Sequence, residues 1–272
     1  MKRMTRSKPS DSSFEMPSFR LDGQVAIVTG GSRGLGLGIA RALAVQGADL
    51  VLAARGADEL DRAAATLRAL GRRVVTVVVD IGTREAPDRL VSAALDELGR
   101  LDILVNGAGI NVRKPAASFT REDFAGVLRI NLEAAFFLSQ AAGQVLRHQE
   151  RGRIISIGSI AQEVAVPNVG VYAMSKGALR QMTKSLSLEW ARDNVTVNAI
   201  APGRFWTTMT DAVFSDDRLY DAAVRVIPMG RPGVPADLAG AAVLLASDAG
   251  AYITGQTIVV DGGWLASSGV EA

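Results

Sequence analysis

The alternation of strand-like and helix-like segments along most of the 272 residues constrains this chain more than any other feature. Apolar runs predict strands at 25–29, 50–53, 74–79, 103–105, 154–157, 195–200 and 258–260. Patterns of helical period predict helices at 35–46, 58–70, 84–98, 120–149, 171–192 and 237–246. Gly47 stops the first helix, and Thr120 with Asp123 supplies a capping-box-like start to the fourth. The strands are continuous apolar runs, as expected when helices cover both faces of a parallel sheet. Short strands joined through helices make right-handed crossovers, so the predicted architecture is one doubly wound α/β domain. No polar linker or internal repeat divides residues 21–272. Residues 1–20 are polar, carry Lys2, Arg3, Arg6 and Lys8, and read as a flexible N-terminal tail, either a solvated leader or an electrostatic docking arm.

Composition excludes several function classes. A net charge of +2, with few aromatics interleaved among the basic residues, gives no footprint for nucleic acid. No apolar run of 18 residues is present, so no membrane-spanning helix is expected. The absence of cysteine removes disulfides, thiol catalysis and Cys-ligated metals, and is compatible with a cytoplasmic setting. The single histidine, His148, sits among Arg147, Gln149, Glu150 and Arg151 and is expected at an exposed helix end, so no metal site is expected.

Between the first strand and the first helix the chain reads Thr-Gly-Gly-Ser-Arg-Gly-Leu-Gly, residues 29–36. Glycines there allow a tight turn and a close backbone approach to a pyrophosphate, and the helix N-terminus adds its positive end. A purely structural turn is the competing reading, but the strand–loop–helix context favours a dinucleotide and hence a Rossmann-like fold. The second strand ends Ala53-Ala54-Arg55, without the acidic residue that would bind an NAD ribose. Arg55, with Arg33 in the glycine loop, suits a 2′-phosphate, so NADP(H) is favoured over NAD(H); the alternative is two solvated surface arginines. Asp80, ending the third strand, is either an adenine contact or a turn residue.

Tyr172 and Lys176 lie four apart, on one helix face. A free tyrosine, with a pKa of about 10, is a poor base at neutral pH, and a nearby ammonium would favour tyrosinate. Ser159 precedes Tyr172 by thirteen residues and follows the fifth strand, at the carboxyl edge where open α/β sheets bind ligands.

These motifs, with Asn-Gly-Ala-Gly at 106–109, Asn131 and Pro-Gly-x-x-x-Thr at 202–207, resemble the short-chain dehydrogenase/reductase family in order and across nearly the whole chain. The resemblance implies a catalytic set of Asn131, Ser159, Tyr172 and Lys176. Tyr172 would be the general acid/base and Ser159 would polarise the substrate oxygen. Lys176 would lower the tyrosine pKa and hold the nicotinamide ribose, and Asn131 would hold a water in a proton relay. The expected cofactor contacts are Gly30, Ser32, Arg33, Gly34, Leu35 and Gly36 in the first loop. Arg55, Asp80, Ile81, Asn106, Ala108 and Gly109 follow from the next strands. Tyr172, Lys176, Pro202, Gly203 and Thr207 complete the set, with Thr207 meeting the carboxamide. The chain departs from the family's Asn-Asn-Ala-Gly at Gly107.

Within the family, residues 109–115 and 261–266 resemble sugar-acid dehydrogenases of the gluconate 5-dehydrogenase kind, whereas 131–139 and 189–194 resemble tropinone-reductase-like plant enzymes. Arg113, Lys114 and Arg204 are candidates to meet an anionic substrate, with Gln162, Glu163 and Asn168 for its hydroxyls, or are ordinary loop charges. Phe205 and Trp206 suit a more apolar pocket, and residues 208–227 are expected to close over the substrate. The leading reading is an NADP-dependent dehydrogenase of a sugar acid or polyol. The alternatives are a reductase of 3-oxoacyl thioesters or other small ketones, and a catalytically silent NADP-binding sensor, against which the intact catalytic set argues. Family resemblance implies a homotetramer joined through helices 120–149 and 171–192. Ala134, Ala135, Ala141, Ala142 and Gly143 would allow close helix packing there or serve the internal core.

Overall fold

The computed structural model describes residues 15–267. Its seven strands, β1 (Val25–Thr29), β2 (Asp49–Ala54), β3 (Val74–Val78), β4 (Ile103–Asn106), β5 (Gly152–Ile157), β6 (Val195–Pro202) and β7 (Thr257–Val260), form one sheet in the order β3-β2-β1-β4-β5-β6-β7. Every pairing is parallel. The helices are α1 (Gly34–Val45), α2 (Ala57–Arg68), α3 (Ala86–Leu98), α4 (Arg121–Leu128), α5 (Ala134–His148), α6 (Gly170–Trp190), α7 (Asp211–Phe214), α8 (Asp217–Val224) and α9 (Ala239–Ala246).

Each central strand feeds two cores, which is why its sequence is apolar at every position. In β1, Ala26 and Val28 face a core built with α1, α2 and α9, through Ile39, Leu43, Leu60, Leu67 and Leu245. Val25 and Ile27 face the opposite core with α3, α5 and α6, through Leu90, Leu138, Leu179 and Leu186. Burying each such side chain contributes about 1.5–3 kcal/mol before chain entropy is counted. The edge strands depart from the expectation of two covered faces: Val78 of β3 is 47% exposed and Val259 of β7 is 39% exposed. A sheet edge has a neighbour on one side only, so flanking helices cover less of it.

Two helical regions differ in detail from the sequence pattern. Residues 120–149 run on in space, and the Thr120–Asp123 capping box is present, with Asp123 N–H donating to Thr120 Oγ1 at 3.2 Å and Thr120 N–H to Asp123 Oδ2 at 2.9 Å. Between α4 and α5, however, Arg129–Glu133 is a π-helical turn, a local widening common at functional sites. The region after β6, to which the helical pattern assigned no bounded helix, contains two short helices, α7 and α8. Most of the predicted tail lies outside the described residues. Residues 15–20 are exposed, yet the Ser18 carbonyl accepts the Ala249 N–H at 3.2 Å. His148 ends α5 and is exposed.

Candidate active site

Strand order reverses direction between β1 and β4, and a crevice opens there at the carboxyl edge of the sheet. A cavity of about 840 Å³ fills it. Gly30, Ser32, Arg33, Gly34, Leu35 and Gly36 line one wall. Gly30 and Gly34 have φ of +66° and +55°, and a Cβ at Gly36 would lie 2.2 Å from the Gly30 carbonyl, so this turn requires glycine. Arg33 is the N-cap of α1 without a capping side chain, which leaves first-turn N–H groups for an anion. Arg55, Asp80 and Ile81 lie at the β2–β3 side of the same cavity, and Ala108, Gly109, Pro202, Gly203 and Thr207 at the other. The glycine turn, the open helix N-terminus and the cations lining this cavity have the chemistry that a dinucleotide requires. Asp80 lines the cavity, and its Oδ1 accepts the Gly82 N–H at 2.9 Å, the bond of a turn residue.

Asn106, expected to touch the cofactor, does not line the cavity. Its amide donates to Ser139 Oγ at 2.9 Å and Ser156 Oγ at 3.4 Å, and with 6% exposure it braces β4 against α5 and β5. The adjoining loop hangs on Thr29, an unanticipated contributor, whose Oγ1 accepts the N–H groups of Gly107 and Ala108 at 3.1 and 3.2 Å. A Cβ at Gly107 would stand 2.6 Å from the Thr29 carbonyl, so the loop after β4 approaches the end of β1 as closely as a glycine allows.

Tyr172, Lys176 and Ser159 converge on the opposite end of the cavity. Ser159 leaves β5, caps a short 3-10 turn by accepting the Ala161 N–H at 3.2 Å, and hydrogen-bonds the Tyr172 hydroxyl. Burial pushes the Tyr172 phenol above its ordinary 10.0, and the Ser159 hydrogen bond offsets only part of that. Lys176 was expected to lower the tyrosine pKa, but its ammonium faces the ring, 5.6 Å from the centroid, and donates to the Ile157 carbonyl at 2.6 Å. Burial brings its own pKa from 10.5 to about 8. Asn131, in the π-helical turn, is 2% exposed and lies behind the cavity. Its Oδ1 accepts the Ile110 N–H at 2.8 Å, and its Nδ2 donates to the Ile110 carbonyl at 2.9 Å and Ser175 Oγ at 3.0 Å. It thereby clamps the loop after β4 to α6. A Cβ at Gly109 would meet both Asn131 Oδ1, at 3.3 Å, and Lys176 Nζ, at 3.7 Å, so the two polar ends flank one glycine.

The residues expected to meet substrate separate into three groups. Lys114 requires a correction: its ammonium is ion-paired with Asp123 and lies 5.4 Å from the Phe119 ring centroid, so a carboxylate of the chain itself takes the place of the expected anion. The capping box holds Asp123 in position, and Lys114 with Thr120 brings its pKa down to about 2. Arg113 and Arg204 are neighbours, and partial burial followed by the Arg113 charge lowers the Arg204 pKa. Among the described residues neither guanidinium has a side-chain partner. Arg204 stands between Gly203 and Phe205, both cavity residues. Asn168 joins the two loops, its carbonyl accepting the Lys114 N–H at 3.0 Å, while Gln162 folds against Gly158 with its Oε1 buried and unpartnered. Glu163 is ion-paired with Arg180 at 3.1 Å. Residues 208–210 line the cavity, and Trp206 packs with Phe214 and Tyr220.

The model of a family described as enoyl-(acyl carrier protein) reductase matches residues 30–265. A gluconate 5-dehydrogenase of Gluconobacter oxydans is 39% identical over 245 residues, which cover 90% of this chain and 96% of that protein. A tropinone reductase homologue of Arabidopsis thaliana is 38% identical over 258 residues, 94% of this chain and 96% of the plant protein. The crystal structure of a gluconate 5-dehydrogenase from Burkholderia cenocepacia in complex with NADP and tartrate superposes with a TM-score of 0.87 at 36% identity, covering 92% of this chain and 98% of that one.

Proposed function

This chain belongs to the short-chain dehydrogenase/reductase family, and from that premise we propose that it moves a hydride between NADP(H) and a secondary alcohol or ketone of a sugar acid or polyol, gluconate and 5-ketogluconate being the model pair. The observation that carries the substrate class is the Arg113–Arg204 pair, two neighbouring cations beside the cavity with no acidic partner among the described residues. A substrate carboxylate would supply that partner. The nicotinamide, when bound, supplies or accepts the hydride. The chain's own residues handle the proton: Tyr172, kept neutral by burial, donates to the carbonyl oxygen in reduction, and Ser159 donates a second hydrogen bond to the developing alkoxide. Lys176 presents its positive charge to the tyrosine ring, and Asn131 holds the loop carrying Gly109 and Ile110 in place.

Initial rates on sugar acids, neutral polyols and small ketones, each with NADP(H) and NAD(H), test this reading. Arg204→Ala is expected to raise KM for a sugar acid by about tenfold or more, the worth of a charge-assisted hydrogen bond, and to leave a neutral polyol unaffected. Equal effects on both substrates would reject the carboxylate role. A second reading, reduction of 3-oxoacyl thioesters or other apolar ketones, is favoured by the Trp206–Phe214–Tyr220 cluster and by Met209, which is 63% exposed at the cavity. Turnover confined to such ketones would select it.

We further propose that the protein is a homotetramer. The small residues of α5 serve the interior: Ala135 and Ala142 lie in the core, and a Cβ at Gly143 would stand 2.8 Å from the Trp190 ring. What α5 and α6 present outward is Phe136, Phe137 and Leu188, at 37%, 47% and 82% exposure. Light scattering is expected to give about four times the 28.6 kDa chain mass; the mass of one chain would reject the assembly.

A further inference from the structure

We propose that Glu59 sets how strongly this chain discriminates NADP(H) from NAD(H), by competing with a 2′-phosphate for the Arg33 guanidinium. The inference rests on the cofactor reading above and adds a residue to it. At the adenosine end the cavity is lined by Ala53, Ala54, Arg55, Gly56, Glu59 and Arg33. Arg33 Nη1 donates to Glu59 Oε1 at 3.1 Å, an ion pair that is 59% and 41% exposed and joins the glycine loop to the first turn of α2. Arg55 has no side-chain partner among the described residues. Arg33, Arg55 and Glu59 together carry a single net positive charge, against about −1.5 to −2 on a phosphomonoester at neutral pH.

The two cofactors meet this arrangement differently. A 2′-phosphate can use Arg55 as it stands, but it gains Arg33 only by sharing it with Glu59, whose carboxylate then faces the phosphate as a like charge. NAD carries no phosphate there, so the Arg33–Glu59 pair stays intact. The other oxygen, Glu59 Oε2, lies toward Gly56, 3.8 Å from where a Cβ would stand, and is open to accept a ribose hydroxyl. Glu59, in the first turn of α2, thus provides the acceptor that the end of β2 lacks at Ala54. The chain binds both cofactors, and Glu59 narrows the margin by which NADP is preferred.

Titration calorimetry with NADP+ and NAD+ tests this by binding alone. Glu59→Gln is expected to tighten NADP+ by about two- to fivefold, the range of an exposed ion pair, without tightening NAD+. The gain is expected to shrink at high salt. Equal changes for both cofactors, or no change, overturn the assignment. Arg55→Ala, measured alongside, decides the underlying cofactor reading separately. A loss of NADP+ affinity relative to NAD+ supports it, and an unchanged ratio rejects it whatever Glu59→Gln shows.

Discussion

Replacing Tyr172 by phenylalanine is expected to lower turnover in both directions by roughly 10²–10⁴-fold, the usual worth of a positioned general acid/base, while leaving NADP+ binding intact. The substitution removes only the hydroxyl. The ring stays, and with it the 5.6 Å approach of the Lys176 ammonium, so packing and charge around the cavity are preserved. Ser159 keeps its hydrogen bond from Ala161 and can still polarise a carbonyl, which accounts for a residual rate. Because burial holds the phenol above 10.0, the wild-type protein carries the proton at neutral pH and is poised to reduce. Alcohol oxidation needs the deprotonated form, so its rate is expected to keep climbing with pH through 10. Turnover unchanged in Tyr172→Phe, with cofactor binding retained, removes Tyr172 from the chemistry.

The second large effect concerns stability. Lys176 is 5% exposed and titrates at about 8, against 10.5 for an ordinary lysine. Between those values the unfolded chain holds a proton that the folded chain has released. Stability therefore rises with pH from 8 upward, by about 1.4 kcal/mol per pH unit at most, and the penalty for burying the charged amine is present in full below pH 8. Tyr172 acts in the opposite sense above pH 10, where an unfolded tyrosine loses its proton before the buried one does. The clean window is pH 8 to 10, across which Lys176 is expected to contribute on the order of 2–3 kcal/mol. Lys176→Met should flatten that rise, as measured by denaturant unfolding at each pH. The variant also leaves the Ile157 carbonyl without its 2.6 Å donor, which costs stability at every pH but adds no slope. The same slope in both proteins would show that Lys176 is not buried as a titrating amine.

Much of the site was legible because its signals are local. A glycine turn between a strand and a helix, two residues one helical turn apart, and a hydroxyl just past a strand are each set by a few neighbouring residues. The fold followed from the same kind of pattern, since strands apolar at every position call for cover on both faces. Local patterns say less where a side chain's partner is remote in sequence. Asn106 and Asn131 stand in motifs that suggest contact with cofactor or water. In the folded chain their amides meet Ser139, Ser156, Ile110 and Ser175, residues brought near only when β4, α5 and α6 pack. The cation at Lys114 looked free until α4 carried Asp123 to it.

By itself the sequence determined the order of the elements, the glycine turn and the helix that sets Tyr172 one turn from Lys176, because periodicity and backbone sterics act over a few residues. Only the tertiary structure decided the direction of the Tyr172 shift, the pairing of Arg33 with Glu59 and the proximity of Arg113 to Arg204. Burial and Coulomb energy depend on distances between groups far apart in the chain, and packing sets those distances.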